Sequence, residues 1–457
     1  MQKTFFKLVL IIGFTPLFGQ QRVPVFALKQ DSAAYEKTLE RLMSAMRNPM
    51  YGFRIDSLRK EEIALREKAV RYRTVYRPSP GYERWGKLTS SLQTAKRVAL
   101  VDYPGAKLPD SLFLMTGLEE LELINTNIRK LPSLLSNLPR LKKISLLNNR
   151  PRGRVKLPKL PGVETLVISD DEFDRRPRSY RSLPSLTMLD LSRYNMTRIP
   201  KVRHKGIKRL ILTENNLTLQ NTRLRLPSLE ELTLTSNGIK EIPASIASFP
   251  KLKKLNLNLN EVTVISPEIG KLKNLEQLSL YKNKVSALPS EIFSLPNLRV
   301  IDFYYNQLKE LDPRMANWKK LEILYAANNQ IVSLPDNLGE LVNLRELYLH
   351  HNKISNLPAS LGGLDSLRVL RVNNNFLVEF PQPLLNLKSL ENLDVASNQL
   401  TEVPEALFLL PRLKILSLKG NPFEPAVRAR LLDQARRAMQ ERQVMVHLEG
   451  LVEPGLN

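Results

Sequence analysis

Four histidines and no cysteine leave little material for catalysis in a chain of 457 residues. Without a thiol there is no disulfide framework, no zinc ribbon, no cysteine nucleophile and no thiol redox chemistry. The sequence contains no G-x-S-x-G, no phosphate loop ending in GK[ST] and no H-E-x-x-H, so no enzymatic activity is expected. His350 and His351 are adjacent, and alternation along a strand would send them to opposite sides, with no carboxylate spaced to join them. Neither a metal nor a cofactor is therefore expected.

Two other sets of residues have the chemistry of binding. Asp302, Tyr325, Tyr348 and Arg371 follow one another at intervals of 23, as do Tyr281 and Tyr304, with His350 two intervals beyond Tyr304. Tyrosine offers a large contact area at small entropic cost and a hydroxyl besides, which suits it to anchoring a protein partner. It also has high strand propensity, a bland explanation that requires no partner. The second set is basic. Arg152, Arg154, Lys156 and Lys159 are followed by Arg175, Arg176, Arg178 and Arg181, and then by Arg198, Lys201, Arg203 and Lys205. At similar phases these would stack into a ridge able to hold an anionic polymer or membrane headgroup. The plainer reading is a solvated face. Aromatic residues are sparse along the ridge, Tyr180 between Arg178 and Arg181 being one, which disfavours nucleic acid.

The elements that would position these residues come from one repeat. An apolar residue stands at positions 1, 4, 6 and 11, asparagine at 9 and often Leu-Pro at 14 and 15. First positions fall at Ala95, Leu118, Leu141, Val163, Leu186, Ile207 and Leu229, then every 23 residues to Leu413. Asn149, Asn215, Asn237 and their successors to Asn421 occupy position 9 in eleven of the fifteen repeats, while Tyr103, Thr126, Asp171 and Tyr194 replace it in the others. The early repeats are thus expected to be the less regular ones. Residues 3 to 7 should form a short strand, with 4 and 6 inward and 3, 5 and 7 outward. An asparagine at 9 can satisfy backbone groups where the chain leaves the strand.

Segments such as Leu275-Glu-Gln-Leu278-Ser-Leu280-Tyr-Lys-Asn283 and Leu344-Arg-Glu-Leu347-Tyr-Leu349-His-His-Asn352 resemble the leucine-rich repeat family in its LPxxLxxLxxLxLxxN form, found in Scribble-like and Ras-associated repeat proteins. The resemblance covers about residues 95–423. It implies an α/β solenoid with a parallel sheet on its concave face, acting as a non-enzymatic scaffold for a protein ligand. It says little about which ligand, because function lies in sites grafted onto folds. The cysteine-dependent ubiquitin ligase module of some bacterial members has no counterpart here.

The flanks complete the division. Residues 1–21 read as a secretory signal, with Lys3 and Lys7, an apolar run from Leu8 to Phe18 and Gly19 for cleavage. Val25-Phe26-Ala27 offers a later cut. Loss of the two lysines would lower the net charge from +24 to +22. The run is too short to span a bilayer and no second run follows, so no integral membrane span is expected. The expected location is exported, periplasmic or extracellular. If the signal is not used, the Scribble-like resemblance implies a cytoplasmic signalling scaffold instead.

Residues 22–94 are expected to be a helical cap. Tyr35, Leu39, Leu42, Met43 and Met46 form one apolar stripe, and a second helix runs from Asp56 to Tyr72, before a turn or linker over Arg77–Gly86. Residues 424–457 should form a closing helix from Glu424 to Gln443, and a tail. Helical caps of this kind cover the open ends of a solenoid.

Overall fold

The computed structural model describes residues 78–451, except 89, 129, 150–156, 170–179, 200–201 and 220–225, together with strands at 20–25 and 71–76 and seven single residues between 30 and 61. The chain divides into two compact units, Met1–Tyr194 and Asn195–Asn457.

In the first unit, strands Arg97–Val101, Glu120–Ile124, Lys143–Leu147, Thr165–Ser169 and Met188–Asp190 lie parallel and in phase, each repeat position beside the same position of the next. Positions 4 and 6 form the core: Leu121, Leu123, Ile144 and Leu166 are buried. The edge of this sheet is closed by a strand, and among the described residues no helical cap is seen against it. Glu83–Arg84 pairs parallel with Val98–Ala99, and Trp85 N–H donates to the Ala99 carbonyl at 2.8 Å. An edge strand's unpaired backbone groups are better met by another strand than by a helix, whose own groups bond internally. Upstream, Gln20–Val25 pairs antiparallel with Arg71–Tyr76. The helix expected to reach Tyr72 thus gives way at Arg71 to a segment rich in aromatic and β-branched residues. Thr38, one of the isolated helical residues, donates to Glu61 at 2.6 Å. The rest of the two expected helices lies outside the described residues.

In the second unit, eleven parallel strands run from Arg209–Ile211 to Met445–His447, all in phase. The position-9 asparagines form the expected ladder. Asn283 donates to the carbonyls of Leu257 at 2.9 Å and Leu280 at 3.0 Å and accepts from Val262 N–H at 2.9 Å, tying two repeats together. Across from the sheet lie single 3-10 turns such as Ser290–Ser294, started by Pro289 at φ −68°. The closing helix, Pro425–Arg442, has Leu431, Ala435 and Ala438 buried. Arg442 at its end donates to the carbonyls of Phe408 at 2.6 Å and Leu410 at 2.8 Å. The sheet continues past this helix, since Met445–His447 adds a last strand beside Ile415–Ser417.

Position 2 carries a ladder of charges. Glu230 lies between Lys208 at 3.7 Å and Lys253 at 2.9 Å. Glu322 pairs with Arg299 and Arg345, and Glu391 with Arg368 and Lys414. Each exposed pair adds little stability by itself, but successive opposite charges favour the in-phase register over a slipped one. Among the described residues no helix is long and apolar enough to cross a membrane.

Candidate functional site

The outward strand positions of the second unit bring the tyrosines together. In-phase parallel pairing places side chains of equal position one strand spacing apart, about 4.8 Å, close to the distance at which flat rings stack. Tyr325 and Tyr348 do so, with centroids 4.8 Å apart and planes at 17°. Arg371, next in the column, lies with its guanidinium carbon 5.7 Å from the Tyr348 centroid. The Tyr348 hydroxyl donates to Glu346 at 3.0 Å. In the neighbouring column Tyr281 and Tyr304 lie 5.7 Å apart, and the Tyr304 hydroxyl meets His350 Nε2 at 3.1 Å. All seven expected concave-face residues therefore belong to one contiguous surface on the open face of this sheet.

Several of them are less accessible than their outward position suggests. Tyr325, Asp302 and His350 are buried, while Tyr281, Tyr304, Tyr348 and Arg371 are half-buried. Large side chains one strand spacing apart cover their smaller neighbours. Burial has electrostatic consequences. It pushes the Asp302 carboxyl up to about 7, against the bonds from Tyr304 N–H at 2.9 Å and Ser279 Oγ at 3.2 Å. Glu346 is raised by burial in spite of the Tyr348 hydroxyl, and Asp394 by burial in spite of Arg371. The Tyr325 phenol is held well above its ordinary range, first by burial.

Alternation along the strand missed part of the surface. Position 8 takes a left-handed backbone in repeat after repeat, with φ of 51° at Lys282, 56° at Tyr305 and 55° at His351. This turn ends the alternation and swings position 8 toward position 7. Tyr305 consequently stacks on Tyr304 at 4.7 Å and meets Tyr281 edge-on at 5.8 Å. The Lys282 ammonium lies 5.3 Å from the Tyr305 centroid. The two histidine rings, expected on opposite sides, lie 5.6 Å apart. No group of three or more metal-ligating side chains exists among the described residues. Position 3 adds half-buried Val300, Ile323 and Val369 in register beside the tyrosines. The 23-residue period itself was the signal that could have found these positions.

Asp394, Ser417 and His447 occupy consecutive strands in register. The serine stands between the other two, whereas a Ser-His-Asp relay needs the imidazole in the middle to take the serine proton and be oriented by the carboxylate. The trio is not arranged as that relay.

Of the basic ridge, Arg152, Arg154, Lys156, Arg175, Arg176, Arg178 and Lys201 lie outside the described residues. Arg181, Arg198, Arg203 and Lys205 are exposed.

Residues 266–376 match the leucine-rich repeat region family, and residues 227–284 and 366–423 the leucine rich repeat family. Among solved structures, a leucine-rich repeat protein of Leptospira interrogans is similar with a TM-score of 0.64 at 28% identity, over 78% of this chain and 98% of that one. A chain of the Toll–Spätzle complex of Drosophila is similar at 0.56 and 20% identity, over 73% of this chain and 51% of that one. A chain of the TLR13–ssRNA13 complex follows at 0.52 and 18%, over 80% and 69%. No curated protein sequence matches. The repeats and the parallel sheet are similar to those of such leucine-rich repeat structures.

Proposed function

We propose that this protein is a non-enzymatic binding scaffold that takes a protein partner on the open face of its second unit. The observation that carries this reading is the tyrosine surface: Tyr348 stacked on Tyr325, Tyr305 on Tyr304, with Val300, Ile323 and Val369 alongside. Rings already fixed by stacking and by hydroxyl bonds lose little freedom on binding, so their contact area is converted to affinity at low cost. The fold does not choose the partner, since the similar solenoids above include one in a complex with Spätzle and one with ssRNA13. The residues on the face do. They present aromatic and aliphatic contact with Lys282, Arg371 and Glu346 as polar groups, a mixture suited to a polypeptide.

The test is a displayed random-peptide library selected on the full chain. Binders to the tyrosine surface should lose about 30-fold in affinity on Tyr348→Ala, the effect of removing one central anchor. They should change little in about 0.5 M salt. Selected peptides that ignore Tyr348→Ala but are released by salt would sink this reading in favour of polyanion or envelope-surface binding through the basic ridge, for which charge-driven release is the signature.

The scaffold is proposed to work outside the cytoplasm. Gly19, the expected cleavage point, stands immediately before the strand Gln20–Val25. A cut there keeps all six residue pairs with Arg71–Tyr76, from Gln20 opposite Tyr76 to Val25 opposite Arg71. The later cut after Ala27 would delete the strand. This supports Gly19 as the last residue of the signal.

A further inference from the structure

We propose that the turn Ser79-Pro80-Gly81-Tyr82 is a built-in occupant of the open face of the first unit, seated on Glu120 and Glu122 and closing that face to partners. The turn is rigid by sequence. Pro80 and Gly81 hold its two central positions, Gly81 has φ +83°, and Tyr82 N–H closes on the Ser79 carbonyl at 3.1 Å, the type II arrangement in which glycine is favoured at the third residue. A Cβ at Gly81 would meet the Arg97 guanidinium at 3.0 Å, so the turn is also fitted closely to the sheet below.

Its side chains reach far along the sequence. Ser79 gives both its backbone N–H, at 3.0 Å, and its hydroxyl, at 2.6 Å, to the carboxylate of Glu122. The Tyr82 hydroxyl donates to Glu120 and accepts from Lys143 Nζ at 2.8 Å, while Lys143 pairs with Glu120 at 3.1 Å and lies 5.2 Å from the Tyr82 centroid. Glu120 and Glu122 are at positions 3 and 5 of their repeat, both outward. These are the positions at which the second unit carries its candidate site.

Burial follows. Position 5 in the first unit carries Ala99, Glu122, Ser145 and Val167, each 0% exposed, and Asp190 at 1%, and at position 7 Ile124 and Leu147 are also buried. A carboxylate taken fully out of water is strongly destabilised unless donors are aimed at it. Two donors from one residue, on a turn preset to deliver them, make the contact a recognition event within the chain. The turn is held to the sheet chiefly by side-chain hydrogen bonds, so it can open without unfolding the repeats beneath it.

The absence of cysteine permits a clean test. Ser145 pairs in register with Glu122, and Ser145→Cys in the full chain places a single thiol beneath the turn. With a small maleimide as the reagent, this thiol should react at least about ten-fold more slowly than the control Ser279→Cys on the half-exposed face of the second unit. Adding Ser79→Ala and Tyr82→Phe should raise the Ser145→Cys rate about ten-fold and leave the control rate unchanged. Should that pair of changes disturb folding, as read by circular dichroism, Pro80→Gly loosens the turn while keeping every contacting side chain and should also raise the rate. A Ser145→Cys variant that reacts as fast as the control, with the turn otherwise intact, would overturn the proposal. So would a rate unaffected by these turn substitutions in a folded protein.

Discussion

Asp302 gives the sharpest test of the electrostatics on the open face. Its side chain is buried, and burial pushes its carboxyl from an ordinary 3.8 to about 7. The bonding around it explains why the protonated form fits. Ser279 has one hydroxyl proton and two acceptor neighbours, Asn258 Oδ1 at 2.7 Å and Asp302 Oδ2 at 3.2 Å. The nearer oxygen takes the proton, and Asp302 Oδ2 is then best satisfied by a proton of its own, donated to Ser279 Oγ. Asparagine supplies that donor at every pH, while its Oδ1 still accepts the Tyr304 N–H now bonded at 2.9 Å. The chain already uses this solution two repeats earlier, where Asn256 at the same position accepts Asn258 N–H at 3.0 Å.

The sign follows from linkage. A folded value above the unfolded one means the native state holds its proton longer, so this contribution to stability is complete below about pH 4 and is lost as pH rises through about 7. A separation of about 3 pH units corresponds to an upper figure of about 4 kcal/mol. Asp302→Asn should therefore change stability little at about pH 4 and raise it by about 2 to 4 kcal/mol at about pH 8. Trp85 and Trp318 are the two tryptophans. In a Trp85→Phe background, the buried Trp318 reports the urea midpoint of the second unit alone. A variant that is less stable at the higher pH, or whose difference from the parent is the same at both, would refute the reasoning.

Two further outcomes are expected. Asn306→Ala leaves Val285 N–H, now bonded at 2.9 Å, without an acceptor, while the Leu280 and Phe303 carbonyls keep a second donor from Asn283 and Asn329. The loss should be about 2 to 4 kcal/mol in the same urea assay, and one below about 1 kcal/mol would mean the ladder is dispensable there. N-terminal sequencing of protein recovered from outside the cytoplasm should begin at Gln20; recovery of an intact Met1 in the cytosol would overturn export and favour an intracellular scaffold.

What the sequence disclosed and what it concealed divide along one physical line. The period encodes what repeats: a strand beginning at position 3, which reaches position 7 in the first four repeats and position 5 in the later ones, the asparagine ladder, and the columns that stack Tyr348 on Tyr325. Local rules stop where the backbone departs from them. Alternation sends His351, and by the same phase Tyr305, to the opposite side, whereas the left-handed backbone at position 8 turns both onto the face already occupied by position 7. Burial on that face was also hidden, since it depends on what neighbouring strands carry. Asp302 and Tyr325 look outward by phase and are covered by side chains one strand spacing away.

The long-range contacts were the least legible. Nothing in the period announces that Ser79 will bond a residue 43 positions ahead, or Tyr82 one 61 positions ahead. The S-P-G-Y turn was visible as a turn, but its target was not. Yet the two units differ at equivalent positions in a way that the sequence does record. Outward positions 5 and 7 of the first unit include the aliphatic Ala99, Val167, Ile124 and Leu147 beside the polar Glu122, Ser145 and Asp190, whereas those of the second include Tyr281, Tyr304, Tyr348 and Arg371. Outward aliphatic side chains in an otherwise regular repeat favour a cover, and outward aromatic ones favour a partner. Under the two proposals above, the repeat serves one face closed by its own chain and one face that takes a partner, and the composition of the outward positions distinguishes them.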